Sequence, residues 1–213
     1  MAGVFDYKKE YKDLYSPKAS PSVIDVPDMV FIMVDGKGNP NTSEEYQTAV
    51  EILYGLSYTI KMSNKSVLEY VVPPLEGLWW GEDGYFDGAA ITDKNKLSWT
   101  AMIRQPDFMT KEVFEAAKTA LAKKKPKMDT SKAQLIKRSE GLCVQIMHIG
   151  SYDDEPATIK TMERYAVENG YAIDISETRR HHEIYLSDPR KVEIEKLKTV
   201  IRHPIRKTLE YLK

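Results

Sequence analysis

Residues His181-His182-Glu183-Ile184-Tyr185-Leu186 set a carboxylate and a phenol two positions apart in a run that Ser187-Asp188-Pro189 ends. In an extended strand side chains alternate, so His181, Glu183 and Tyr185 share one face and His182, Ile184 and Leu186 the other. A buried carboxylate must find a partner or shift its pKa. Glu183 is therefore either paired within the fold, by His181, Arg179 or Arg180, or kept to attract a cation or activate a water. Trp79 and Trp80 are adjacent, point to opposite faces of a strand, and offer π faces to a cation or a flat ring. Tyr70 can donate a hydrogen bond to an oxygen that gains charge, although a buried tyrosine serves structure as well. Glu155 follows Asp153 and Asp154 ahead of a helix, where acids usually cap. Its functional alternative is a second carboxylate facing Glu183, the two dividing base and electrostatic roles. His148 and Tyr152 border the same loop, and a lone histidine at a strand end is most often structural. His181 and His182 face opposite ways and make no natural chelate.

Two stretches of the chain supply elements to position these groups. In the first, the apolar run Met29 to Val34 leads to a turn, Asp35-Gly36-Lys37-Gly38-Asn39-Pro40. Thr42 or Ser43 can cap a following helix whose stripe is Tyr46, Val50, Leu53, Leu56 and Ile60. Strands are expected at Val67 to Val72, around Leu78 to Phe86, and at Leu97 to Ile103, with a turn at Glu82-Asp83-Gly84. A helix from about Thr110 to Lys124 closes the module, and Lys123 to Lys132 reads as a linker. The second stretch repeats the order: strand Leu142 to Ile149, turn, helix Ala157 to Asn169 ended by Gly170, strands Tyr171 to Ile175 and His181 to Leu186, and a helix from about Val192 to Ile201. Overlaying them puts Pro106 on Pro189, Ile103 on Leu186 and Thr100 on Glu183. The expected fold is α+β: duplicated strand-helix-strand-strand modules, about 28–124 and 141–208, related by a pseudo-twofold, with an antiparallel sheet packed by helices. Residues 1–27 form an N-terminal extension. A groove between the modules is the natural ligand site.

Composition narrows the classes. The 213 residues carry 42 % hydrophobic side chains, enough for a substantial core, and a net charge of −1, which argues against nucleic-acid binding. The single cysteine, Cys143, sits in an apolar run and reads as a buried thiol, as a reducing cytoplasm would allow. No stretch approaches the roughly 18 apolar residues of a membrane span, and Met1 to Tyr15 shows no secretion signal. No CxxC pair, HExxH or GxxxxGK[ST] occurs, so no metal or nucleotide cofactor is expected. Nine methionines suit an adaptable pocket, though most should be core.

The run Glu183 to Lys191, the Gly150-Ser151-Tyr152 turn and the duplicated element order resemble the GyrI-like (gyrase-inhibitor-like) small-molecule-binding domain over about residues 28 to 208. Asp6-Tyr7-Lys8-Lys9-Glu10-Tyr11, Gly36-Lys37-Gly38-Asn39-Pro40 and Pro74-Leu75-Glu76-Gly77-Leu78-Trp79-Trp80 are similar to the stand-alone branch, which lacks a DNA-binding part. The resemblance implies a single ligand-binding domain with a groove for bulky, hydrophobic, often cationic drug-like molecules. Glu183 would supply charge there, and Tyr70, Trp79, Trp80, Tyr152, Tyr185 and His148 would line it. It also leaves an enzyme open. Some stand-alone members hydrolyse the cyclopropane of DNA-alkylating natural products and so confer drug resistance. Here Glu155 or Glu183 would act on the water and Tyr70 on the departing oxygen. A third implication is a protein-interaction module that binds a target such as DNA gyrase.

Overall fold

The computed structural model describes residues 3–81, 86, 88 and 93–208. The turn expected at Glu82-Asp83-Gly84 lies outside the described residues. Two short helices, α1 (Tyr7–Glu10) and α2 (Lys12–Tyr15), precede strands β1 (Ser22–Val26) and β2 (Met29–Lys37). Then come α3 (Glu44–Ser63), β3 (Leu75–Trp80), β4 (Ser98–Gln105) and α4 (Lys111–Lys124). The second half holds β5 (Gln134–Arg138), β6 (Gly141–Ile149), α5 (Glu155–Glu168), β7 (Tyr171–Ile173), β8 (His181–Tyr185) and β9 (Lys198–Lys207). The fold is α+β, and the strand pairs are all antiparallel.

The sheet runs β1-β6-β9-β8-β3-β4-β2-β5, with β7 joined to the far end of β9. The two halves meet at β8 and β3. Each outer strand crosses over: β1 precedes β2 in the chain but pairs with β6, and β5 precedes β6 but pairs with β2. Cross-strand partners share a face. One face carries Ile32, Val34, Trp99 and Ile103 against α3 and α4 in the first half, and Val144, Ile146, Ile201 and Ile205 against α5 in the second. On the other face Phe31, Met33, Leu78, Met102, Ile184 and Val200 pack under α1 and α2 through Tyr7, Leu14 and Tyr15.

Local chemistry explains the boundaries. Ser43 caps α3 by accepting the Tyr46 N–H at 3.2 Å, and Thr110 accepts from Val113 at the start of α4. Pro156 sits in the first turn of α5, where its missing N–H is not needed. Strand β2 runs past the expected turn at Asp35 because Gly36 lets the Trp99 ring lie on its backbone; a Cβ there would stand 2.3 Å from the ring.

Two expectations are corrected. Val67 to Val72 is not a strand: Tyr70 makes one isolated bridge with Phe5, and the paired strand starts at Leu75. The helix expected over Val192 to Ile201 is a single 3₁₀ turn, Ile194–Lys196, followed by β9. A strand bonded on both edges reads as a continuous apolar run, and periodicity cannot separate it from a buried helix. At the junction Glu183 of β8 pairs with Gly77 of β3, and Thr100 of β4 pairs with Leu78 one strand further on. The N-terminal extension contributes α1, α2 and β1.

Candidate functional site

Where β3 and β8 meet, α3 and the start of α5 stand apart on the same sheet face. The gap is an open cavity of about 1240 Å³. Its floor is Trp79, Glu183 and Tyr185; Tyr46 and Tyr54 of α3 form one wall, and Tyr152, Glu155 and Pro156 the other.

Glu183 is held from both sides. His181 Nε2–H donates to its Oε1 at 2.8 Å and the Tyr185 hydroxyl donates to its Oε2 at 2.6 Å. The strand alternation that puts positions 181, 183 and 185 on one face makes both bonds possible. Trp79 Nε1–H donates to the Tyr185 oxygen at 3.0 Å, which orients that hydroxyl toward Glu183. Burial alone would push the Glu183 carboxyl up; the His181 bond and charge and the Tyr185 hydroxyl outweigh it and bring the carboxyl below its ordinary range.

Glu155, the first residue of α5, is buried, and its Oε1 has no hydrogen-bond partner. Burial first, and the charge of Glu183 second, push its carboxyl well above the usual carboxylate range. Two neighbouring carboxyls cannot both ionise cheaply. The asymmetry of their surroundings settles which one does: Glu183 is the anion and Glu155 the neutral acid. Burial, with Glu155 and Glu183 adding to it, also raises the Tyr152 phenol to about 12. Burial chiefly, and then Glu183, raises Tyr46, so both hydroxyls stay protonated donors at neutral pH. The Tyr152 ring stands edge-on to Tyr185 at 5.9 Å.

The cavity thus gathers Trp79, Tyr152, Glu155, Glu183 and Tyr185. Three expected residues are elsewhere. Tyr70 lies on the opposite sheet face, edge-on to Tyr7 at 6.3 Å, its hydroxyl buried and without a partner. Trp80 also belongs to that face, with the Arg180 guanidinium 4.8 Å over its ring. His148 is tied to Thr158 Oγ1 at 2.8 Å and to the Ser151 carbonyl at 2.9 Å, so it fixes the loop that carries Tyr152 without lining the cavity.

Sequence reasoning missed Tyr46, taken for part of an apolar stripe, and the polar groups that brace β8. Below the sheet, His182 is clamped between Glu140 at 2.9 Å and Glu76 at 3.0 Å. Arg202 Nη1 holds the other Glu140 oxygen at 2.9 Å, and Tyr15 donates to Glu76 at 3.2 Å. Burial opposes charge on Glu140, but His182 and Arg202 hold its carboxyl well below the usual range. Burial likewise opposes charge on His182, and Glu140 and Glu76 carry its imidazole up. The available signal was the presence of charged residues at inward positions of apolar strands. Cys143 is a free, buried thiol pushed up to about 12 by burial.

Among the described residues no group of three or more His, Cys, Asp or Glu is arranged to hold a metal ion. No described helix is long and apolar enough to cross a membrane.

Comparison with known proteins agrees with the architecture. An uncharacterized conserved protein from Listeria innocua is 48 % identical over 95 % of this chain and 100 % of its own, with a TM-score of 0.90. A hydrolase from Listeria innocua is 45 % identical over 95 % of this chain and 100 % of its own, with a TM-score of 0.86. The C-terminal domain of EcmrR, 11 % identical over 89 % of this chain and 98 % of its own at a TM-score of 0.53, shares the fold alone. No curated protein sequence matches significantly. The GyrI-like small molecule binding domain matches residues 19–206, nearly the whole chain, and the protein belongs to that family.

Proposed function

We propose that this protein is a hydrolase that takes bulky hydrophobic molecules, cationic ones included, into the β3/β8 cavity and adds water to an activated, strained ring such as a cyclopropane. The observation that carries this reading is the pairing, in one aromatic cavity, of Glu183, held by His181 and Tyr185, with the buried Glu155, whose Oε1 has no hydrogen-bond partner. Ionised Glu183 removes a proton from the attacking water. Neutral Glu155, whose Oε1 is unpartnered, gives a proton to the oxygen that gains charge as the ring opens. Tyr46 and Tyr152 offer further donors at the cavity wall. A positioned acid or base is typically worth about 10²–10⁴-fold in rate. The Listeria innocua relatives named as hydrolases, 45 % and 46 % identical over nearly the whole chain, support the same reading. In a cell the activity would remove a DNA-alkylating drug and so protect against it.

A second reading is binding without turnover, as multidrug sequestration. It is favoured by the size of the cavity and by an anion set among Trp79, Tyr46 and Tyr185, which suits a flat cation. Incubation with a cyclopropane-bearing DNA alkylator, followed by mass analysis, separates the two. Catalytic accumulation of the water adduct supports the hydrolase; saturable binding with no product beyond the solvent rate contradicts it and leaves sequestration.

A further inference from the structure

Further round α3, toward the end of α4, a second depression adjoins the cavity. It is an open groove of about 510 Å³, lined by Val50, Gly55 and Leu121 and rimmed by Lys124, Lys125 and Arg190. A glycine inside a helix costs about 1 kcal/mol against alanine, so Gly55 needs a packing reason. It has one: a Cβ there would stand 3.1 Å from Leu121 Cδ2. Val50, Glu51, Tyr54, Tyr58 and Arg190 line both the groove and the cavity, so the two are continuous over one ridge of α3. The spacing of four from Val50 through Tyr54 to Tyr58 makes that ridge about 12 Å long. The Tyr54 and Tyr58 rings stack along it at 6.2 Å, and Tyr58 is 52 % exposed. Charge differs between the two ends. Glu155 and Glu183 lie in the cavity, whereas Lys124 and Lys125 are exposed at the groove, and among the described residues no carboxylate pairs with either. Arg190 is fixed beside the ridge by Asp188, which accepts from its Nε and its Nη2 at 2.9 Å each.

We infer that the groove is a second subsite of the same site, taking an apolar arm with an anionic end on the molecule whose other end lies at Glu183 and Glu155. The inference rests on the cavity being the ligand site. Continuity and charge name the occupant. A molecule seated on Trp79 and Glu183 is separated from the groove only by the Tyr54–Tyr58 ridge, and an apolar arm crossing it removes its own surface and that of Tyr58, Val50 and Leu121 from water. The end of such an arm comes to Lys124 and Lys125, where an anion meets opposite charge and a cation would meet like charge. The protein is thus suited to elongated molecules with a reactive or cationic head and an apolar, anionic tail. The groove residues touch no reacting atom. They determine which molecules are held, and binding energy gained at a remote arm can be spent at the reacting centre.

The test is fluorescence titration of the whole protein, at fixed salt, with two probes. One is rhodamine 6G; the other is rhodamine 6G joined to a naphthalenesulfonate by a flexible linker of about 10–12 Å, the width of a helix with its side chains. The wild type should hold the joined probe at least about tenfold more tightly than rhodamine 6G, because the second contact becomes intramolecular. Lys124→Glu with Lys125→Glu should abolish that gain and leave rhodamine 6G itself within about twofold, since neither lysine lines the cavity. Lys111→Glu with Lys160→Glu, the same change of charge at exposed sites of α4 and α5 away from the groove, should keep the gain. A joined probe no tighter than rhodamine 6G, a gain that survives in the Lys124/Lys125 variant, or equal losses in the two double variants would overturn the subsite. A gain that depends on Lys124 and Lys125, in a protein that forms no water adduct, would support the subsite and remove only the hydrolase reading. Adduct formation without the gain would overturn the subsite and leave the hydrolase reading standing.

Discussion

Gly77 and Glu183 stand directly opposite each other across the β3–β8 ladder, and the missing side chain of Gly77 is what brings the Trp79 indole to the Tyr185 hydroxyl. A Cβ on Gly77 would lie 2.8 Å from Trp79 Nε1 and 3.1 Å from the Tyr185 oxygen. The Trp79–Tyr185–Glu183 chain therefore depends on a residue that bears no functional group.

Gly77→Ala should push Trp79 and Tyr185 apart and loosen the hold on Glu183. Overpacking of this kind costs about 1–3 kcal/mol, so urea unfolding should shift by that amount. Affinity for a planar cation such as a rhodamine dye should fall by roughly tenfold, in line with one lost charged contact. Unchanged dye titration and unchanged unfolding would show that the contact is not needed.

The two glutamates should answer differently to the same substitution. Glu183→Gln removes the anion and should weaken cationic-dye binding by about 1–3 kcal/mol. Glu155→Gln replaces one neutral group by another and should leave dye binding within about twofold. Fluorescence titration at fixed salt distinguishes them; equal losses would contradict the assigned charges.

Turnover should need Glu183 ionised and Glu155 protonated at the same pH. Glu183 must be ionised, and its lowered pKa puts the acid limb below the ordinary glutamate value of about 4.3. Glu155 must be protonated, and its raised pKa puts the alkaline limb well above that value. Single-turnover rates against pH would show the plateau, and an alkaline fall close to pH 4–5 would exclude Glu155 as the acid.

Stability should follow the clamp beneath the sheet. Glu140 has a lowered folded pKa, so it stabilises above its unfolded value of about 4.3, and that contribution is lost as pH falls through the folded value. His182 has a raised folded pKa, so it stabilises below its unfolded value of about 6.5, and that contribution is lost as pH rises through the folded value. Glu140→Gln leaves His182 and Arg202 short of a buried partner and should cost about 3–5 kcal/mol. Thermal unfolding across pH would check both slopes, and a Glu140→Gln melting profile like that of the wild type would contradict the clamp.

Much of this site was legible because a strand period of two is unambiguous. His181, Glu183 and Tyr185 could be set on one face from sequence, and Trp79 and Trp80 on opposite faces, as the two clusters that hold them bear out. Tyr70 was misassigned because its neighbourhood looked like a strand of the same sheet, whereas it is a buried residue pinned to the N-terminal segment through Phe5. His203 was invisible for a different reason: Ile194, Leu197, Val200 and Ile201 fit a helical stripe, and only pairing with β6 and β8 makes Lys198–Lys207 a strand. Glu76, Glu140 and Arg202 are far apart in sequence and meet only through the sheet register. Protonation is less legible still, since it depends on burial and on partners that no local pattern contains.

The most direct test of the account is single-turnover hydration of a cyclopropane-bearing electrophile in heavy-oxygen water, with enzyme in excess, for the wild type, Glu183→Gln, Glu155→Gln and Tyr70→Phe. A water adduct carrying the heavy oxygen is expected, formed about 10²–10⁴-fold more slowly by each glutamate variant. Tyr70→Phe, altered on the far face of the sheet, should keep the wild-type rate. Wild-type rates in both glutamate variants, or loss of rate only in Tyr70→Phe, would contradict it.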